Sequence, residues 1–208
     1  MIERRQVITG LIAATATARM ADSLNAEAEK SEMAEIRAVW LDRSSLVSRE
    51  EIRATIQQLA LANFNLILVN VWSRGYPLWQ SAVFAKETGL TIDPGFVGRD
   101  PLSEVIEEAA LAGLVVVPWF EYGFIGGYSG YFPGVGGEGL LFDRHPDWMA
   151  RTRSGGGGFS APGGLFYWMS HSNPEVRQFL IRLVEEVCLR YLIVGVQFDR
   201  ARYPQLDC

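Results

Sequence analysis

Histidine and cysteine are scarce in this chain, with two of each among 208 residues. His145 and His171 fall in separate loop regions, so a histidine-based zinc site is not expected. Cys188 takes an apolar helical position and Cys208 is terminal, which implies no disulfide framework. Basic residues form no block, and a formal net charge of -5 leaves no clustered positive face, so nucleic acid is a poor partner. Apolar runs fall short of the roughly 20 residues that span a bilayer. There is no GK[ST] phosphate loop and no G-x-S-x-G elbow. "GVGGEG" at 134–139 matches G-x-G-x-x-G in form. It follows Pro133 in a glycine-rich stretch and precedes no convincing helix, so a dinucleotide site is not expected. The sequence implies neither metal nor cofactor, and no membrane partner for the mature chain.

What remains is ordinary globular material, 49% hydrophobic and 21% charged, enough for one sizeable core. The first 21 residues stand apart. Arg4-Arg5 precedes a mildly apolar, Ala/Thr-rich run, and Ala16-Thr17-Ala18 is a small-x-small cleavage candidate. Together they resemble a twin-arginine export signal, which would place the mature protein in the periplasm or outside the cell. An amphipathic N-terminal helix is the alternative. Residues 22–34 are polar and charged, as a linker would be, leaving 35–208 as the folded domain.

Strands and helices then alternate. "IRAVWL" (36–41) is a short β-rich run. Ser48 with Glu51 three residues on forms a capping box, and Ile52, Ile56, Leu59 and Ala60 follow at helical spacing. "NLILVNV" (65–71) is a near-continuous apolar strand of the kind covered on both faces. Asp100-Pro101 opens a second helix that Gly113 can close, and "LVVVPWF" (114–120) is the third strand. Asn173-Pro174 opens a third helix with Val176, Phe179, Leu183, Val187 and Cys188 on its apolar face. "YLIVGVQF" (191–198) is the fourth strand. Fourteen of the 21 glycines fall between Gly123 and Gly164, which predicts a long irregular insert before the third helix.

This alternation predicts a parallel α/β fold: a (β/α) barrel of TIM type that stops after its fourth strand, a half barrel, since a closed one takes about 250 residues. An open, doubly wound sheet is the alternative. In either, chemistry gathers at the carboxyl ends of the strands. Those ends here carry Trp40 and Asp42; Asn70, Trp72 and Arg74; Trp119, Glu121 and Tyr122; Asp199 and Arg200. Sugar rings pack on aromatic faces and their hydroxyls need carboxylate, amide and guanidinium partners, while glycosidic cleavage uses two carboxyl groups. Strands lie about 4.8 Å apart, so Glu121 and Asp199 could approach within the roughly 5–9 Å such pairs use. The same acids could instead cap loops or pair with Arg74 or Arg200, and the tryptophans could be core. His171, just before a helix, could face substrate or bond the helix entry.

"EIRAVWLDRSSLVSREEI", "LANFNLILVNVWSRGYPLWQS", "DPGFVGRDPLSEVIEEA", "VVPWFEYGF", "RHPDWMARTRSGG", "SNPEVRQFLIRLVEEVCLRY" and "VGVQFDRARYP" resemble, in order, blocks of the glycosyl-hydrolase-like 10 family. The resemblance implies an exported bacterial (β/α)8 glycoside hydrolase, with Asp199 as the strand-four acid and Glu121, Trp72 and Arg74 matched. Asp199 is then the leading candidate for general acid/base, with Glu121 next. Trp40, Trp72 and Trp119 would shape a sugar cleft, and Asp42, Asn70, Arg74, Tyr122, His171 and Arg200 would meet substrate. Many members carry a second acid where this chain has Arg200. With four further strands absent, the chain is expected to be incomplete, inactive alone and prone to self-association through its open strand edges. A non-catalytic glycan-binding protein and a degenerate gene product are the alternatives.

Overall fold

The protein is described from a computed structural model, which covers residues 35–130 and 137–204. The export signal and linker expected at 1–34, part of the glycine-rich loop, and Cys208 lie outside the described residues. In chain order the elements are β1 (Ala38–Leu41), α1 (Arg49–Leu61), β2 (Leu66–Ser73), β3 (Tyr76–Pro77), α2 (Ala82–Thr88) and α3 (Pro101–Ala112). There follow β4 (Val115–Phe120), β5 (Ile125–Tyr128), α4 (Leu140–Arg144), β6 (Gly158–Ala161), β7 (Gly164–Trp168), α5 (Pro174–Arg190) and β8 (Gln197–Phe198). β1, β2, β4 and β8 lie side by side, all parallel, with β3 antiparallel on β2. This is an α/β fold on a parallel sheet, and the described residues form no closed barrel.

The helix boundaries follow from local chemistry. Ser48 Oγ accepts from the Glu51 amide at the start of α1, Asp100 caps α3 with Pro101 at its first position, and Asn173 and Pro174 do the same for α5. Gly113, at φ 73°, ends α3 in the left-handed conformation that costs glycine least. α2 has a less local anchor. The Glu186 carboxylate of α5 accepts from the Ala82 and Val83 amides, from Trp79 Nε1 at 3.0 Å and from Ser81 Oγ at 2.5 Å.

The sheet's two faces differ. Ile52 and Ile56 of α1, Leu102, Val105 and Ala109 of α3, and Val176, Phe179, Leu183 and Val187 of α5 join Ile67, Val69, Val71, Val116 and Phe120 in one core cluster. The opposite face, set by the register Trp40–Leu68–Val117 and Asn70–Trp119–Gln197, contributes none of its apolar residues to that cluster. On it Trp40 is 57% exposed and Val115 41%. The sheet is therefore covered by helices on one face, not both as its apolar runs suggested. Trp40 Nε1 donates to Gln197 Oε1 at 3.0 Å across this face, from one edge strand to the other. Flat strands would hold them three spacings, roughly 14 Å, apart at the backbone. The face is concave.

Three expectations are corrected. The insert between β4 and α5 is not irregular: β5, β7 and β6 form an antiparallel sheet in that spatial order, and His145 stacks on Trp148 at 4.0 Å while bonding Glu87. Alternating aromatics (Phe159; Phe166, Trp168) build this sheet, but its glycines mask the pattern. The fourth strand is two residues long, and Leu192 and Val194 before it are 96% and 75% exposed. Cys188 is exposed, because the buried stripe of α5 ends its reach at Val187.

Candidate functional site

The strand exits are laced together by main-chain bonds that run past the regular ladders. Glu121 N donates to Trp72 O, Asp199 N to Phe120 O and Gly123 N to Asp199 O at 2.7 Å. The exits of β2, β4 and β8 then turn through a non-glycine residue at positive φ: Arg74 at 58°, Tyr122 at 52° and Arg200 at 48°. Such conformations are costly and gather at functional sites. Gly123 closes the arrangement, since a Cβ there would sit 2.2 Å from Arg200 O.

A bulge decides which side chains meet. Across β2 and β4 the register runs Asn70↔Trp119 and then Trp72↔Phe120, so Val71 is an extra residue on β2. Strict alternation would place Asn70, Trp72 and Arg74 on one face. The bulge instead sends Trp72 to the helix side, where it is fully buried, packs on Phe84 and Phe179, and donates to Ile125 O at 2.9 Å. Trp72 is a core residue and does not shape a cleft. The same bulge brings Ser73 round to the side of Asn70.

Glu121 is the centre of the result. Its Oε2 accepts from Asn70 Nδ2 at 3.0 Å and from Ser73 Oγ at 3.2 Å. Burial, the largest influence, raises its carboxyl above the ordinary range. The Ser73 and Asn70 donors and Arg74 pull the other way, and Asp42 adds to the rise. Glu121 lines a cavity of about 210 Å³ with Asp42, Ser73, Arg74, Tyr122, Tyr128 and Phe166 among its walls. Asp42 Oδ1 also caps the turn after β1 by accepting from Ser44 N and Oγ. The aromatic wall is continuous: Tyr122 to Phe166 is 5.2 Å and Phe166 to Tyr128 is 4.8 Å between centroids. Arg74 lies over Tyr128 and Arg200 over Tyr122, at 5.6 and 4.5 Å.

The other sequence-predicted residues sit nearby without lining that cavity. Asp199 occupies the register position beside Glu121, one past the Phe120↔Phe198 pair, on the adjoining strand. Trp119 is 9% exposed on the concave face, and neither its Nε1 nor Asn70 Oδ1 has a hydrogen-bond partner among the described residues. Trp40 remains at the edge, held by Gln197. His171 packs against Tyr203 at 5.7 Å, and burial lowers its pKa, partly offset by a hydrogen bond with the Gly123 backbone. Its Nε2 is buried and unpaired among the described residues. A neighbouring hollow of about 270 Å³ is formed by Phe159, Ser160, Trp168, Arg200, Arg202 and Tyr203. Ser73, Tyr128 and Phe166 were missed in the sequence. A bulge carries no sequence mark here, and the two aromatics lie in the glycine-rich insert.

Hydroxyl, amide and guanidinium groups surround the Glu121 carboxyl, and the Asp42 carboxyl lines the same cavity. No group of three or more histidine, cysteine or acidic residues able to hold a metal occurs among the described residues. The arrangement can present a proton, accept hydroxyl hydrogen bonds and stack an apolar ring face.

Among relatives, the Escherichia coli K12 protein named glycosyl hydrolase DigH is 27% identical over 186 aligned positions, covering 80% of this chain and 39% of the relative. The chain thus spans well under half the length of the curated relatives it matches over most of its own length. A hypothetical protein from Ruminiclostridium thermocellum shares the fold at TM-score 0.60 and 15% identity, over 80% of this chain and 78% of that one. A Flavobacterium johnsoniae chitobiase matches at TM-score 0.53 and 19% identity, over 80% and 23% of the two chains. A maltogenic α-amylase from Thermotoga neapolitana matches at TM-score 0.52 and 14% identity, over 83% and 40%. Residues 35–206 match the family described as glycosyl hydrolase-like 10, and the chain belongs to that family.

Proposed function

We propose that the strand-end site hydrolyses glycosidic bonds in a poly- or oligosaccharide, with Glu121 as general acid. The observation that carries this reading is the Glu121 carboxyl itself. It keeps its proton to higher pH than an ordinary glutamate because it is buried, and it opens on a cavity walled by Tyr122, Tyr128 and Phe166. A proton passes from Glu121 to the glycosidic oxygen as the bond to the anomeric carbon breaks, while a second carboxylate takes a proton from the water whose hydroxyl the carbon gains. Asp199, one strand along, and Asp42, which shares the Glu121 cavity, are the candidates for the second carboxylate. Glu121 therefore ranks ahead of Asp199 as the acid, the reverse of the ranking that the family resemblance implies. Family membership and the fold shared with a chitobiase and an α-amylase support a carbohydrate substrate.

The same reading takes β1, β2, β4 and β8 as the first four strands of a (β/α)8 barrel. One-sided helix cover and the Trp40–Gln197 bond across a concave face both favour this over a doubly wound sheet. Export by a twin-arginine route rests on Arg4-Arg5 and Ala16-Thr17-Ala18 alone. None of the described helices is long and apolar enough to cross a membrane.

A second reading, glycan binding without cleavage, is favoured by Arg200 at the position after Asp199 and by the placement of Asp199 outside the Glu121 cavity. A glycan array followed by reducing-end assays on every glycan bound separates the two. Hydrolysis requires reducing-end release that Glu121→Gln abolishes while binding persists. Binding with no release selects the second reading, and no binding at all rejects both.

A further inference from the structure

We propose that Ser73, carried onto the site by the β2 bulge, is a positioning residue that with Asn70 holds Glu121 Oε2 as the acceptor oxygen and leaves Oε1 to bear the transferable proton. The inference rests on the reading of Glu121 as the acid. Its basis is geometric. Residues three apart on a regular strand point to opposite faces, so Asn70 and Ser73 could not meet one carboxyl group. The extra residue at Val71 restores them to a common side. Both then donate to the same oxygen, at 3.0 and 3.2 Å. Ser73 is 3% exposed and Asn70 fully buried, so these donors are shielded from competing water.

A carboxyl oxygen that accepts two hydrogen bonds is the carbonyl-like one in the neutral acid, because a proton on it would face two donors. The proton of neutral Glu121 accordingly sits on Oε1, which has no hydrogen-bond partner among the described residues and belongs to a side chain lining the cavity. Were each oxygen held by one donor, the proton would be divided between two orientations. Only one of them would reach a glycosidic oxygen. Asn70 alone could bond Oε2 while leaving the carboxyl free to rock about that single contact. Ser73 removes this freedom.

The test is the titration of the Glu121 carboxyl carbon by 13C NMR in the 208-residue chain. Ser73→Ala deletes a donor that favours the charged form, so the titration midpoint should move upward, with the thermal midpoint of unfolding little changed. Ser73→Cys, similar in shape but a weak donor, should move it the same way and serves if the alanine variant fails to fold. An unchanged Glu121 titration in the folded variants would overturn the proposal. The two readings fail separately. Loss of reducing-end release in Glu121→Gln with an unmoved midpoint in Ser73→Ala would sink the positioning role alone. A shifted midpoint in a chain that cleaves no glycan would leave Ser73 orienting an acid whose hydrolytic role is wrong.

Discussion

Two glutamates, one on each side of the sheet, use the same side chain for opposite ends. Glu186 sits among the helices, where both its oxygens are engaged: Oε1 by the Ala82 and Val83 amides, Oε2 by Trp79 Nε1 and Ser81 Oγ. Glu121 sits at the strand exits with two donors on one oxygen and a cavity beside it. A satisfied carboxylate is a structural bolt. A half-satisfied one, pushed toward its neutral form by burial, is available for chemistry, and that difference separates the two sides of this molecule more sharply than residue type does.

Breaking the bolt should have the larger effect. Glu186→Ala strips α2 of the acceptor at its N-terminus and leaves the Trp79 and Ser81 donors without their partner, so unfolding free energy should fall by about 3 kcal/mol. Chemical denaturation checks this, and a loss as small as that of an average surface substitution would show that Glu186 is not the anchor. The matching change on the other side should have the opposite sign. Below the ordinary glutamate value of 4.5, Glu121 is protonated folded or unfolded and contributes no pH dependence. As pH rises, the unfolded chain ionises first and folding is progressively disfavoured until pH passes the raised folded value. Glu121→Gln lacks this penalty. It should stabilise the protein at neutral pH, with the gain vanishing as pH falls below the ordinary glutamate range. Thermal melts of both proteins across that range measure it, and a destabilised Gln variant at pH 7 would remove the contrast between the two glutamates.

The helices were legible in the sequence because their signals are local: Ser48 with Glu51, Asp100-Pro101 with Gly113, Asn173-Pro174. The parallel strands were legible as apolar runs, and the strand-end rule picked out Glu121, Asp42, Arg74 and Tyr122. The misses share a cause in long-range structure. Trp72 and Ser73 exchanged sides through a bulge at Val71 that only pairing with β4 creates. Tyr128 and Phe166 reached the cavity on an antiparallel sheet whose strands lie among glycines. The apolar residues at 192–196 look like a strand in isolation, yet β8 begins only at Gln197, where pairing with Trp119 starts.

The most direct test of the account is the titration midpoint of the Glu121 carboxyl in the unmodified chain, followed by site-assigned 13C NMR. A midpoint clearly above 4.5 is expected, because burial outweighs the Asn70 and Ser73 donors. A midpoint at or below 4.5 would mean that Glu121 is an ordinary ionised carboxylate, and the acid assigned to this site would be the wrong residue.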